Sequence, residues 1–368
     1  MATIDIHSDL VLGIESSCDE TAAAVVADGF RVLSSVVASQ AAKHAVYGGV
    51  VPELAAREHL KNIEPVVSAA LDNAGVALED ISGIRVTNGP GLMPALQVGV
   101  NFAKGMALAN RLPLVGVNHF LAHVKAAFLA PADADSAPPK PAFPLLALVV
   151  SGGHTSLALF DAEGKCEIIG TTIDDAAGEA LDKAAKLLGL GYPGGPVIER
   201  VAREGNPAAF AFPRSLTGGT GRPLDPANRF NFSFSGLKTA LLRHVEKNSG
   251  ENREIEGAFL ADTVASYQEA VVDVLTMKAM DAAAEFAAKT VVLCGGVACN
   301  APLRERVARA CDSAGTAFLV PEKRYCADNA AMVAAAGTAA FDCAEDADFS
   351  DLDVYARIPH GEPLRCPL

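Results

Sequence analysis

The chain has no Cys-x-x-Cys pair, no apolar run approaching twenty residues, no long polar tract, and fewer basic residues than acidic ones, 30 against 44. Each absence excludes something. The eight cysteines (Cys18, Cys166, Cys294, Cys299, Cys311, Cys326, Cys343, Cys366) are scattered, so no zinc ribbon is expected and all read as free thiols of a reducing compartment. Without an apolar run of roughly 20 residues there is no membrane-spanning helix to expect. The first ten residues lack the basic and apolar regions of a secretory signal, which makes the cytoplasm the expected location. A formal charge of -14 argues against broad, nonspecific nucleic-acid binding, so neither DNA nor a membrane is an expected partner.

What is present suits a soluble α/β protein. A length of 368 residues with 50% hydrophobic and 20% charged residues exceeds what one core usually supports, and two domains are expected. Five prolines in Pro131–Pro144 mark an exposed linker or loop, residues 131–144, between a domain at 1–130 and one at 145–329. The two sides repeat one pattern. Leu10-Val-Leu-Gly-Ile, a polar turn Glu15–Thr21, Ala-Ala-Ala-Val-Val and an Asp28-Gly29 turn are echoed by Leu145-Leu-Ala-Leu-Val-Val, Ser151–Thr155, Ser-Leu-Ala-Leu-Phe and Asp161–Gly164. Both read as strand, polar turn, strand, hairpin, strand. Helical stretches alternate with short buried strands after each, which predicts mixed sheets flanked by helices in two duplicated domains with a cleft between them.

Three glycine-rich turns close regular elements: Ser151-Gly-Gly-His-Thr155, Gly191-Tyr-Pro-Gly-Gly-Pro196 and Cys294-Gly-Gly-Val. One alone reads as a structural turn, whereas three in one domain point to a nucleotide or acyl phosphate. Asn300 reads as the N-cap of a helix offering free N–H groups. His119 and His123 stand one helical turn apart and can reach one metal ion; the plainer alternative is a buried, hydrogen-bonded His119 and a solvated His123. Asp328 is either their third ligand or a helix-dipole partner for the Ala-rich run after it. Asp19 and Glu20 in the first polar turn are the acidic candidates for catalysis, and Cys18 beside them reads as a packed thiol before a nucleophile. Eight Lys or Arg against three acids between Arg200 and Lys247 form either a solvated face or a landing strip for phosphates, and acids crowd Asp342–Asp353.

The motifs Gly13-Ile-Glu-Ser-Ser-Cys-Asp-Glu-Thr21, His44–His59, Asn88-Gly-Pro-Gly-Leu, Asn118–His123, Ser151–Thr155, Asp174–Lys183, Tyr192–Pro196, Phe232–Lys238, Cys294-Gly-Gly-Val and Asp328-Asn stand together and in order. With them, roughly Val11 to Ala336 resembles the bacterial tRNA threonylcarbamoyladenosine transferases of the actin, sugar kinase and heat-shock chaperone superfamily. The resemblance implies two actin-like (RNase H-like) domains, with the C-terminal segment 330–368 completing the first. It implies transfer of a threonylcarbamoyl group from threonylcarbamoyl-AMP to the N6 amine of adenosine 37, in tRNAs reading codons that begin with A. Carried over, His119, His123 and Asp328 hold a metal, iron(II) or alternatively zinc. Val149, Val150, Ser151, Gly152, Gly153, Asp182, Gly195 and Asn300 hold the adenylate, a site that ATP or AMP would also suit, with Asp182 toward the ribose. Asp19 is expected to orient or deprotonate the attacking amine with Glu20 in support. Implied partners are tRNA, a smaller degenerate paralogue pairing through helices of the first domain, and a small P-loop ATPase.

Three rivals bring different signatures. A zinc protease of the His-Glu-x-x-His type needs a glutamate where Phe120 stands. An ATP-dependent kinase or chaperone-like ATPase would bind magnesium through phosphates and carboxylates instead of imidazoles. A non-catalytic scaffold paralogue would have lost the metal and phosphate residues retained here.

Overall fold

The structure is a computed structural model that describes residues 9–134, 136–138, 140–218, 225–248, 255–336, 351–357 and 364–365. Arg222, Cys343, Cys366 and the acidic residues from Asp342 to Asp348 lie outside the described residues. The chain divides into two compact units: Met1–Lys140 with Glu163–Lys165 and Arg324–Leu368, and Pro141–Ala162 with Cys166–Lys323.

The first unit opens with β1 (Leu10–Glu15), β2 (Glu20–Ala27) and β3 (Arg31–Ser39), an antiparallel meander. Helices α1 (Ala41–Ala45) and α2 (Pro52–Ala74) follow, then β4 (Gly83–Gly89), α3 (Met93–Asn110), β5 (Leu114–Asn118), α4 (His119–Lys125) and the two-residue β6 (Ala130–Pro131). Strands β4 and β5 join parallel to β1, and the sheet order is β5-β4-β1-β2-β3-β6. All of β1 and nearly all of β2 are buried, as near-continuous apolar runs require of a sheet covered on both faces, whereas β3 shows the alternating burial of an outer strand.

The second unit repeats that plan. An antiparallel meander of β7 (Leu145–Val150), β8 (Thr155–Phe160) and β9 (Lys165–Thr171) precedes α5 (Ala177–Leu187), α6 (Gly194–Ala202), α7 (Ser235–Asn248) and the long α8 (Gly257–Glu285). Then β10 (Thr290–Cys294), α9 (Ala301–Ala314) and β11 (Ala317–Leu319) complete the run β11-β10-β7-β8-β9, with β10 parallel to both β7 and β11. Two sheets with one topology are the duplication that the repeated hairpin pattern foretold.

The chain re-enters the first unit at Arg324, and α10 (Ala330–Ala335) follows. The two-residue period of the strands now has a consequence. Leu10, Leu12, Ile14, Ala23 and Val25 pack with apolar residues of α2 and α3, while Val11, Ala22, Ala24 and Val26 pack with α10 and with Ala122 of α4. Each fully buried Leu or Ile of this kind contributes roughly 1.5–3 kcal/mol. Glycine lets α10 lie directly on the strand: a Cβ on Gly13 would sit 2.2 Å from the Ala330 carbonyl oxygen. That close approach sets the position of Asp328, two residues before α10.

Candidate metal and nucleotide sites

β5 ends at Asn118, whose side chain accepts the Leu121 N–H and starts α4 with His119 as its first residue. His123 follows one turn later, and the two rings meet nearly edge to face with centroids 4.6 Å apart. Both are buried, so the reading of His123 as solvated does not hold: α4 is buried over its whole length. Asp328 Oδ1 lies 3.5 Å from His119 Nε2 and 3.2 Å from His123 Nε2, and one ligand atom from each of the three residues falls within 4.8 Å of the others. Asp328 is not the cap of α10; Asn329 is, accepting the Met332 N–H. The donor set fits a cation. Nδ1 and Nε2 of His123 are both buried with no hydrogen bond, an expensive arrangement for an imidazole unless a lone pair goes to a metal. Two imidazoles and one carboxylate suit iron(II) or zinc and leave coordination positions open.

A residue not assigned from the sequence orients this cluster. Glu15 ends β1 on the face shared with Val11 and Gly13, fully buried, and accepts hydrogen bonds from Ser17 N (2.5 Å), Thr87 Oγ1 (2.6 Å) and His119 Nδ1 (2.9 Å). A carboxylate on Nδ1 fixes the His119 tautomer and turns Nε2 toward Asp328. The available signal was a glutamate closing an otherwise apolar strand. Burial alone would raise the Glu15 carboxyl, but the His119 charge and the hydrogen bonds from His119 and Thr87 hold it below the usual range. Burial alone would lower His119; the Glu15 and Asp328 carboxylates outweigh it and push it up to about 9.

Two measurements follow. Glu15→Gln is expected to weaken iron(II) or zinc binding about 10–100-fold, read by calorimetry on metal-free protein, because an amide no longer secures the N–H tautomer; unchanged affinity would remove the orienting role. A metal must also displace the His119 Nε2 proton. Apparent affinity should therefore rise about tenfold per unit between roughly pH 7 and 9 and then level off. In metal-free protein the sign is opposite: the protonated His119 stabilises fully below its unfolded pKa near 6.5, and that stabilisation is lost as pH rises through about 9. A pH-independent metal affinity over that window would contradict the pairing with Glu15.

Asp19 lies between β1 and β2 in the same unit, and Glu20 is the first residue of β2. Asp19 is largely buried, its carbonyl accepts the Gln40 N–H at 3.0 Å, and its side chain is hydrogen-bonded to Glu20. Glu20 also accepts Ser39 Oγ at 3.0 Å. Burial first, then the Asp328 and Asp19 charges, push Glu20 up to about 9. Burial and the neighbouring Asp19 and Asp328 carboxylates likewise raise the Cys18 thiol well above its ordinary value, which leaves it a poor nucleophile.

In the second unit the glycine turns leave one end of the sheet. β7 runs parallel beside β10, so Ser151-Gly-Gly and Gly295-Gly296 emerge from neighbouring strand ends. Ser151 closes its turn by accepting the His154 N–H on Oγ, and the first residue of α5, Ala177, donates its N–H to Thr155 Oγ1 at 2.9 Å. Gly295 has φ +90 and would place a Cβ 2.3 Å from the Val150 carbonyl oxygen, so no other residue fits there. Gly152, Gly153 and Gly195 differ: their backbones are not left-handed and nothing lies within 4 Å of a Cβ built on them, open space that suits a ligand approaching the main chain.

Val149 and Val150 are buried in β7, and offer a ligand their backbone only. Asp182 Oδ1 accepts the N–H of Gly194, the first residue of α6, at 2.7 Å. Gly194-Gly195-Pro196 is thus the first turn of a helix and not a free turn, since proline is tolerated where no intrahelical N–H is needed. Asn300 caps α9 through Leu303 N (3.1 Å) and donates to Gln268 (2.9 Å), so its side chain is engaged within the chain.

The sequence profile of tRNA N6-adenosine threonylcarbamoyltransferase matches residues 31–335. The chain belongs to this family. Curated threonylcarbamoyltransferases include one from Syntrophotalea carbinolica, 50% identical over 97% of this chain and 99% of its own, and one from Anaeromyxobacter dehalogenans, 54% identical over 89% and 93%. More distant solved structures share the fold. HypF of T. kodakarensis matches with TM-score 0.56 and 16% identity over 89% of this chain and 47% of its own. The activator of 2-hydroxyisocaproyl-CoA dehydratase from Clostridium difficile matches with TM-score 0.50 and 15% identity over 92% and 96%. As a threonylcarbamoyltransferase-family member the chain has the duplicated, actin-like α/β architecture, and no described helix is long and apolar enough to cross a membrane.

Proposed function

We propose that this chain transfers the threonylcarbamoyl group of threonylcarbamoyl-AMP to N6 of adenosine 37 in tRNAs reading codons that begin with A, in the cytoplasm. The observation that carries this reading is the His119, His123 and Asp328 cluster in a member of the family. The N6 lone pair forms a bond to the carbamoyl carbon, the bond from that carbon to the phosphate oxygen breaks, AMP leaves, and N6 loses a proton. An aryl amine is a poor nucleophile because its lone pair is delocalised, so deprotonation and alignment of N6 are what the protein must supply. Asp19 accepts that proton, and Glu20, hydrogen-bonded to it, fixes the Asp19 carboxyl and keeps the local charge down.

His119, His123 and Asp328 hold the metal, iron(II) or zinc, with Glu15 behind His119. A cation bound there supplies Lewis-acid polarisation of an acyl or phosphate oxygen. In the second unit the backbone of Val149–Gly153 and Gly195 cradles the adenylate, Asp182 faces the ribose, and Asn300 holds the start of α9 in place. Incubating the protein with threonylcarbamoyl-AMP, a cognate tRNA and its partners, then analysing nucleosides by mass spectrometry, tests the proposal. Modified adenosine with equimolar AMP supports it; ATP turnover without tRNA modification points to the kinase class.

A smaller degenerate paralogue and a P-loop ATPase are the proposed protein partners. Val46 and Tyr47 just after α1 and Leu60 on α2 are exposed large apolar residues, the kind of surface a partner covers. For tRNA, the basic segment resolves into two groups. Arg203, Arg214 and Arg229 are paired with Glu199, with Asp273, and with Asp281 and Glu285, whereas Arg200, Lys238, Arg243 and Lys247 are exposed and make no ion pair among the described residues. Arg229 is thereby set aside as a phosphate contact. Neutralising Lys238 and Arg243 is expected to weaken tRNA binding and to reduce its salt slope by roughly 0.7–0.9 per charge removed; an unchanged slope would put the RNA elsewhere.

A further inference from the structure

The segment between His44 and His59 has no part in the chemistry above, yet both histidines are fully buried. His59, on α2, reaches the polar turn between β1 and β2. Its Nε2 lies 3.0 Å from the Cys18 carbonyl oxygen and its Nδ1 lies 2.8 Å from Thr21 Oγ1. A carbonyl only accepts, so Nε2 carries the hydrogen, and Nδ1 is left to accept from the Thr21 hydroxyl. Burial lowers the His59 pKa, in keeping with a neutral ring. Asp19 sits between the two residues that this ring ties together.

A second tether holds the same turn from the other side. Gln40 N donates to the Asp19 carbonyl (3.0 Å), and the buried Gln40 side chain is fixed at both ends, donating to the Ala55 carbonyl (3.3 Å) and accepting from His44 Nε2 (3.1 Å). His44 Nδ1 in turn accepts the Val51 N–H at 3.3 Å, which assigns His44 the same Nε2–H tautomer. Every polar atom named in this network has a partner inside one unit. Such networks rigidify what they hold.

We infer that His59 is a positioning residue for the transfer: as a neutral Nε2–H imidazole it clamps Cys18 and Thr21 and thereby sets where the Asp19 carboxyl stands. The inference rests on the proposed role of Asp19. Displacing a reacting group by about 1 Å costs on the order of 10²-fold in rate, so loss of the clamp lowers kcat while the proposed adenylate contacts, which belong to the other unit, are left as they are.

The test uses the full chain with its partners, tRNA and threonylcarbamoyl-AMP. His59→Leu is expected to lower kcat about 10²-fold with KM for the adenylate and metal stoichiometry unchanged. His59→Gln, which retains a donor and an acceptor, is expected to recover most of the rate. Hydrogen exchange at residues 18–21 should quicken in the leucine variant and return toward normal in the glutamine one. A folded His59→Leu with normal kcat, beside an inactive Asp19→Ala, overturns the inference while leaving the proposed function intact. A normal Asp19→Ala instead removes the Asp19 role, and the catalytic content of the clamp with it. Should His59→Leu fail to fold, Thr21→Val removes only the hydroxyl donor and should show the same kcat loss in milder form. Nitrogen NMR of the unmodified protein adds an independent reading: an Nδ1–H tautomer at His59 overturns the assignment.

Discussion

A His123→Ala variant is expected to lose stoichiometric binding of iron(II) or zinc and on the order of 10²–10³ in kcat, with adenylate affinity retained. His123 is the informative position because its two nitrogens are buried without hydrogen bonds. A structural histidine would be satisfied by the chain, and its removal would break bonds in the metal-free protein. Here the one contact removed is the 3.2 Å approach of Nε2 to Asp328 Oδ1, between two of the residues proposed to share the ion. The Tm of the unmodified protein should fall when metal is withdrawn by a chelator, while the Tm of His123→Ala should not respond, since binding to the folded state alone is what stabilises it. Wild-type metal affinity in the alanine variant would show that Asp328 and His119 hold no shared ion with it.

Asp19→Ala is expected to abolish transfer while binding threonylcarbamoyl-AMP normally, because the adenylate contacts proposed above all belong to the other unit. Asp19→Asn separates two roles. It keeps the shape of the side chain but accepts no proton, so a general base predicts a loss of about 10²–10⁴ in single-turnover rate. A group that only orients the amine predicts a much smaller loss. Glu20→Gln sharpens the comparison, since Glu20 is hydrogen-bonded to Asp19 and an amide can still donate to it. Near-normal turnover by Asp19→Ala would remove Asp19 from the mechanism.

Much of the architecture was legible because it is written in short-range patterns. Apolar runs at Leu10–Ile14 and Leu145–Val150, each followed by a polar turn and a hairpin, became the central strands of two equivalent sheets. Asn300 before Ala-Pro-Leu-Arg carries the spacing of an N-cap, and it is one. Other features depended on which neighbour wins a local contest. Asp328 and Asn329 both suited the start of α10; Asn329 took the cap, and that freed Asp328 to face the histidines. Gly194-Gly195 resembled a turn, but the Asp182 carboxylate, twelve residues earlier, captured the Gly194 N–H and started a helix there. Within the basic segment Arg200–Lys247, Arg229 is engaged by Asp281 and Glu285, more than fifty residues later.

The amino-acid sequence by itself determined the strands and helices, the duplicated plan, the residue types able to hold a metal and the glycine turns, since periodicity, caps and turn chemistry act over a few neighbouring residues. Tertiary structure alone decided which of those residues share a site. Glu15 reached His119 because strand parity put it on the face covered by α4 and α10, and Asp328 joined them because Gly13 allows α10 to rest on β1. Pairings across 38 to 104 residues, such as Thr21 with His59 and Glu15 with His119, follow from how sheets and helices stack, a property no local pattern encodes.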